Sequence, residues 1–270
     1  MNIAARVTWT AVLSLLLFVP TDLAFGYANG PVRNVTDLSP TCASCHSSMQ
    51  REPLKELPPP VADGHMVENR HYKAIEAGDG AYKDMKPEDR ARLLQDVKAM
   101  DAAAAVTLVA PTSARPGQEI TATVTAKGGS GPVVGLFLVD TLSRYQSRTP
   151  AADGWLIVGA PKVWGPDGQE QTRWVDQRAE GFKKNLNFAV VYGVKSDLEK
   201  KAFPESKAAW TLRAPQAPGT YTLVAAFHYG TEKASPVGSV ERAGATLPRG
   251  GGGGPSGHIL FSQPITVTVR

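Results

Sequence analysis

Two cysteines and a histidine stand at a spacing that can attach a haem. Cys42 and Cys45 are separated by two residues, and His46 follows directly. The thiols of a C-x-x-C pair can reach the two vinyl groups on one porphyrin edge, and the adjacent imidazole then lies under the iron as a proximal ligand. We therefore predict that one haem c is bound covalently through Cys42 and Cys45, with His46 as its iron ligand.

Other chemistries of a C-x-x-C pair explain these residues less completely. A structural zinc site needs four ligands, often from two such pairs, and the chain has only 2 cysteines. A thioredoxin-type dithiol would follow a strand and open a helix, whereas residues 37–41 are typical of a turn. A disulfide across so short a loop contributes little stability and leaves His46 without a role.

The N-terminus predicts export. Arg6 precedes an apolar run over residues 9–19, which is shorter than the roughly 20 residues that span a bilayer. Gly26 and Ala28 are small residues suited to cleavage. We expect residues 1–28 to be a signal peptide, the mature protein to be periplasmic, and no stable membrane span to remain after cleavage. An uncleaved N-terminal anchor is the alternative.

The mature chain is long enough for two domains, and we place the first at residues 29–104. Pro58, Pro59 and Pro60 predict an extended or turn-like stretch. A short helix over 67–77 should end at Gly78, and Pro87 should open a second helix. The second helix has one apolar face, formed by Leu93, Leu94, Val97 and Met100.

The C-x-x-C-H motif and a helix that follows a glycine-containing loop resemble class I c-type cytochromes. This resemblance implies a small all-α haem domain, and it agrees with export, since such haems are attached outside the bacterial inner membrane. Residues 29–41, however, leave no room for the N-terminal helix of that class. Because so small a domain buries little core by itself, we expect the second domain to cover part of the haem or of the helices.

The distal side of the iron has several candidate ligands. Met85 lies in a loop before the last helix, where class I cytochromes place their methionine, so the resemblance makes it a possible distal ligand. Its other interpretation is a hydrophobic residue at a helix start. His71, in the first helix, is the alternative distal ligand. His228 and His258 could reach the haem from the second domain, but we interpret them as surface histidines.

The second domain, residues 105–270, has the pattern of an all-β immunoglobulin-like sandwich. Turns at 115–118 and 217–220 each lead into a strand, and the glycine run over 249–254 is predicted to be flexible. The stretches 115–118, 135–139, 210–215 and 219–221 are also similar to reeler-type sandwiches, which implies a fold and no activity. The eight predicted strands are 106–110, 119–126, 133–139, 155–158, 187–192, 208–213, 221–227 and 265–269.

These features predict a multidomain periplasmic electron-transfer protein, with a small all-α cytochrome c-like domain followed by the sandwich. The sandwich would dock redox partner proteins or shield the haem, and the chain would be a carrier more than an enzyme. A haem-bearing subunit of a redox enzyme with a displaceable distal ligand is one alternative, and a haem sensor or binding module is another. The net charge of +4 is too weak to predict nucleic-acid binding.

Overall fold

A computed structural model describes residues 36–38, 46–231, 238–242, 245–249 and 256–270. His46, His71 and Met85 are therefore described. Cys42, Cys45 and the predicted signal peptide, residues 1–28, lie outside the described residues, and so does most of the glycine run.

One sheet has four antiparallel strands in the order β2-β4-β8-β6. They are β2 (Ala105–Val109), β4 (Glu119–Lys127), β6 (Leu156–Trp164) and β8 (Glu205–Arg213). The residue pattern of β4 explains why this segment forms a strand. Its β-branched and small apolar residues alternate, so that Ile120, Ala122 and Val124 are buried while the threonines between them face outward.

The other sheet is built around the long strand β9 (Gly219–Gly230). On one side β9 pairs with β5 (Ser130–Val139), which pairs with β7 (Phe188–Tyr192). On its other side β9 pairs with β12 (Gly257–Phe261) and then β13 (Ile265–Val269). Two short parallel strands extend this edge, β1 (Ser47–Ser48) beside β12 and β3 (Ser113–Ala114) beside β13. Strands β10 (Gly238–Arg242) and β11 (Ala245–Arg249) form a separate hairpin.

The main hydrophobic core lies between the two sheets. Trp210 is its largest fully buried side chain, and its indole N–H donates to the carbonyl oxygen of Leu186 at 2.7 Å. The opposite face of the β9 sheet is also covered, because Phe137, Val224 and Trp174 belong to a second buried cluster there. Residues that alternate along β9 are therefore buried on both faces, which removes the strand from water almost entirely.

The helices are few and short. They are α1 (Pro59–His65), α2 (Lys73–Ala77), α3 (Pro87–Ala103) and α4 (Arg173–Asp176), and a π-helical turn over Glu68–Tyr72 leads into α2. Single 3-10 turns lie at Glu52–Leu54, Gly80–Tyr82, Pro150–Asp153 and Glu180–Phe182. Gly78 ends α2 at φ 77°, a conformation that glycine adopts without strain. Pro87 opens α3, as predicted.

The helical segment does not form a separate all-α domain. Among the described residues, its own hydrophobic cluster has three fully buried members, Ile75, Tyr82 and Val97, with partly buried side chains packed on them, which is a small core for an independent domain. Asp101 at the end of α3 instead bonds to side chains of β9 and β12, and β1 joins the β9 sheet.

The described chain is predominantly β. The predicted β-sandwich is thus confirmed, and the separate all-α haem domain is wrong. The identification of the chain as a class I-like c-type cytochrome fused to an immunoglobulin- or reeler-like domain is also wrong, because the helices are few, short and attached to the sandwich. Helix gives way to strand at Ala104, while the domain bounds of 29–104 and 105–270 stay predictions. None of the helices within the described ranges is long and apolar enough to cross a membrane.

Candidate functional site

His46 lies against strand β12, directly before β1. Strand β1 pairs in parallel with β12, and this register places Ser47 opposite His258. His46 Nδ1 hydrogen-bonds to the carbonyl oxygen of His258 at 3.1 Å, with the ring N–H as donor. A Cβ on Gly257 would lie 2.9 Å from two atoms of the His46 ring, so the ring can occupy this position only because residue 257 is glycine.

The backbone on both sides of the C-x-x-C stretch is attached to the β9 sheet. Ahead of it, the Leu38 N–H donates to Asn187 Oδ1 at 2.8 Å, and the Asn187 amide donates back to the Leu38 carbonyl at 2.7 Å. Behind it, the guanidinium of Arg144 donates to the carbonyl of His46. The Arg144 side chain is fully buried, and its backbone N–H donates to the Pro53 carbonyl at 2.8 Å. The two ends of the stretch thus have fixed positions.

Local electrostatics keep the His46 imidazole neutral. Burial lowers the pKa of His46 to about 4, and the nearby positive charges of Arg144 and Arg70 act in the same direction. The hydrogen bond to the His258 carbonyl opposes this shift only in part. At neutral pH the ring is therefore uncharged, with Nδ1 carrying the proton that it donates. This leaves Nε2 with an available lone pair, which is the form that binds a metal.

His228 is the nearest aromatic neighbour of His46 across the sheet face. The ring centroids are 5.1 Å apart and the planes are inclined by 37°. Phe137 packs against His228 with a centroid distance of 4.3 Å. Burial, followed by the proximity of His46 and Arg144, lowers the pKa of His228 well below its usual value. His228 is therefore also a neutral imidazole, on the same face of β9 as the second buried cluster.

A chain of buried polar side chains lies on the other face of β12. His258 Nδ1 is 2.8 Å from Asp101 Oδ1, and His258 Nε2 is 2.8 Å from His71 Nδ1. His71 Nε2 in turn lies 3.0 Å from the hydroxyl of Tyr82. All four side chains are buried. Through this chain the helical segment is joined to the strand that holds His46.

Asp101 is the common acceptor of this network. Its Oδ1 accepts from Tyr229 at 2.8 Å and from His258, while its Oδ2 accepts from the Tyr72 hydroxyl at 2.7 Å. Burial and the adjacent Asp101 carboxylate raise the pKa of Tyr72 and of Tyr229, so both hydroxyls stay protonated and donate. A buried carboxyl group that accepts from three donors is well compensated for its burial.

The sequence-predicted ligands are placed apart from one another. His46 and His71 both contact His258, the first through its carbonyl and the second through its ring. Met85 packs against the cluster of Ile75, Tyr82 and Val97. The attachment of haem at Cys42 and Cys45 and the distal roles of Met85 and His71 remain predictions.

Sequence reasoning interpreted His228 and His258 as surface histidines, whereas 9% and 0% of their surfaces are exposed. It also missed Asp101 and Gly257. A weak signal for His258 was present, since three apolar residues, 259–261, follow it directly and are consistent with a short buried strand. An acidic residue in the last turn of a helix, as at Asp101, is electrostatically unfavourable there and is a second signal.

Comparison with known proteins does not identify the chain. Neither the known protein families nor the curated proteins yield a match. Among solved structures, the chain is similar to the CARDB domain of a Pyrococcus furiosus protein in complex with di-metal ions, at 9% sequence identity and a TM-score of 0.23. The similarity covers 62% of this chain and 90% of that one. Within the described ranges, no group of three or more His, Cys, Asp or Glu side chains is arranged to hold a metal ion.

Proposed function

We propose that this chain is an exported electron-transfer protein that carries one covalent haem on a β-sandwich. The haem would be linked to Cys42 and Cys45, and His46 would be its iron ligand. When bound, the haem supplies a one-electron redox couple. The proposal is supported above all by the environment of His46. Its ring donates through Nδ1 to the His258 carbonyl and is neutral at physiological pH.

The residues around His46 fit a metal-ligating histidine. Such histidines commonly donate their second ring N–H to a carbonyl or carboxylate, which fixes the tautomer and the ring orientation. Here the His258 carbonyl is that acceptor, and His258 is itself held by Asp101 and His71. Gly257 provides the close approach. The sandwich thus supports His46 in place of a dedicated helical domain.

The sandwich also suits a carrier. His46 is only partly buried, so a group attached beside it lies near the surface, where a partner protein can exchange electrons with it. Phe137, Ile259 and the other apolar residues of the second buried cluster exclude water from the face of the sheet below His46 and His228. We propose the periplasm as the compartment and redox proteins as the partners, on the basis of the N-terminal pattern and the motif.

Expression of the full chain with a bacterial haem-maturation system tests the proposal. We expect purified protein to keep its haem after acid-acetone extraction and to gain the mass of one haem. The Cys42→Ser/Cys45→Ser variant should lose covalent haem, while His65→Gln serves as a control histidine because its ring bonds to the Tyr145 hydroxyl and lies outside the proposed attachment site. A mature protein of unmodified peptide mass would refute the proposal.

A further inference from the structure

We propose that the chain forms a two-fold symmetric dimer in which strand β2 (Ala105–Val109) pairs antiparallel with β2 of a second copy. The pairing would join the two four-stranded sheets into one continuous sheet of eight strands. The inference goes beyond the proposed function, because the surface concerned does not include His46 and does not require haem.

The first observation is the open edge of β2. The strand pairs with β4 over all five of its residues without a bulge, and no other described strand pairs with it. In an antiparallel strand, alternate residues point their backbone N–H and C=O groups away from the existing neighbour. Within the described ranges, none of these outward groups of β2 bonds to another segment of the chain. Such an edge is a template for pairing with a further strand.

The other edge strands of the two sandwich sheets carry features that prevent such pairing. Strand β6, at the opposite edge of the same sheet, has an irregular register between Val158 and Lys162, with Pro161 inside it. Beside β7, the side-chain amide of Gln171 donates to the Tyr192 carbonyl at 3.2 Å and accepts from the Tyr192 N–H at 2.9 Å. Strands β1 and β3 are only two residues long. Bulges, prolines and short strands commonly protect sheet edges, and β2 has none of these features.

The second observation is the composition of β2, which suits a second copy of itself. Residues 105–112 include no ionisable side chain, so antiparallel pairing of two copies brings no like charges opposite each other. Antiparallel pairing about a two-fold axis is self-complementary, because each copy donates and accepts the same set of backbone bonds. A second copy is therefore the partner that this uncharged edge fits.

A two-fold axis at Thr107 also gives good side-chain pairs. On the outer face, the two Thr107 side chains lie opposite each other, and Val109 lies opposite Ala105 of the second copy. Val109 is 67% exposed in the single chain, and its small neighbour across the axis leaves room to cover it. On the inner face, Val106 meets Leu108 of the second copy. Both are 9% exposed at the margin of the core, so the pairing extends that core.

Analytical ultracentrifugation of the full-length protein tests the inference. The wild type should approach twice the monomer mass as its concentration rises. Thr107→Lys and Thr107→Glu should each stay monomeric, because like charges then face each other at the axis, and an equimolar mixture of the two should recover the dimer mass. Thr121→Lys is the matched control. Thr121 is exposed on the same sheet face but belongs to the interior strand β4, so this variant should dimerise like the wild type.

Hydrogen exchange provides a second measurement that needs no variant. Exchange of the amides in residues 105–109 of the wild type should slow as the protein concentration rises, because the outward N–H groups become hydrogen-bonded in the dimer.

Several results would overturn the inference. One is a wild type that stays monomeric at its highest soluble concentration, and another is a dimer that persists in both Thr107→Lys and Thr107→Glu. A mixture of these variants that fails to recover the dimer would exclude pairing about Thr107. Slower exchange at residues 105–109 only after another protein is added would assign the edge to a strand of that partner instead. The absence of covalent haem would refute the proposed function and leave this inference standing, so the two failures are distinguishable.

Discussion

Replacing Asp101 should destabilise the protein more than any other single change to the polar network. Asp101 is 4% exposed and accepts three hydrogen bonds, from Tyr72, Tyr229 and His258. Asp101→Ala removes all three acceptor positions at once. Two of the donors, Tyr229 and His258, are almost fully buried, so water cannot readily replace the carboxylate.

The size of the effect follows from these contacts. Each buried donor left without an acceptor costs about 1–3 kcal/mol, and the half-buried Tyr72 hydroxyl costs less because water can reach it. Removal of a negative charge from the last turn of α3 returns about 0.3–1 kcal/mol. We therefore expect Asp101→Ala to lower the free energy of unfolding by about 3–5 kcal/mol.

Two further variants separate the contributions. Asp101→Asn keeps one carbonyl oxygen, so it can retain the bonds from Tyr229 and His258, and we expect it to cost about 1–2 kcal/mol. Tyr229→Phe removes a single donor and should cost about 1 kcal/mol. In the Asp101→Ala/Tyr229→Phe double variant the two losses should not add, since both remove the same bond.

Urea denaturation followed by tryptophan fluorescence measures the wild type and the four variants, and equal denaturant dependence of the unfolding free energy would show that they share one denatured state. A loss below about 1 kcal/mol for Asp101→Ala, or a loss that adds fully to that of Tyr229→Phe, would show that Asp101 is not the acceptor that stabilises this network.

Further predictions address the site and the core. Because the pKa of His46 is about 4 in the folded protein without haem and about 6.5 in the unfolded chain, the unfolded chain of haem-free protein binds more protons between these values. The free energy of unfolding should therefore fall by up to about 3 kcal/mol on acidification from pH 6.5 to pH 4. Urea denaturation midpoints measured across this pH range should decrease, and they should decrease less in His46→Gln. Midpoints that do not change with pH would contradict the prediction. Gly257→Ala should lower the free energy of unfolding by about 1–3 kcal/mol because its Cβ would press on the His46 ring. The control Gly64→Ala, whose Cβ would meet no atom within 4 Å, should raise the free energy of unfolding by about 0.5–1 kcal/mol through helix propensity. Equal denaturation midpoints for the two variants would argue against the close approach at Gly257. Trp210→Phe should lose about 2 kcal/mol with the bond to the Leu186 carbonyl, and calorimetry finding an unchanged melting temperature would count against the role of that bond.

Most of the regular elements could be predicted from local patterns. Each of the eight predicted strands corresponds to a strand of the structure, and β4 matches closely because its alternation extends over nine residues. The helix ends at Gly78 and Pro87 were also predictable, since each depends on the backbone preference of one residue. The short strands β1 and β3 were not predictable, because two residues carry no periodic signal.

The attachment of the helices to the sandwich could not be predicted from the sequence. The motif and the helical pattern favoured an independent haem domain, but three short helices with a core of Ile75, Tyr82 and Val97 lack enough buried surface to stand alone. Their attachment depends on Asp101, whose partners Tyr229 and His258 lie more than a hundred residues further along the chain. No local pattern can indicate bonds of that range.

By itself, the sequence determined the presence of the C-x-x-C-H motif, the β-rich character of residues 105–270 and the ends of the main helices, since these depend on neighbouring residues and on short-range periodicity. Only the tertiary structure decided which histidines lie together. The pairing of β1 with β12 and the alternation of β9 place His46 beside His228 on one face of a sheet, and His258 beside Asp101 and His71 on the other. The physical reason is that strand register assigns each side chain to a face, and register is set by pairing between distant segments.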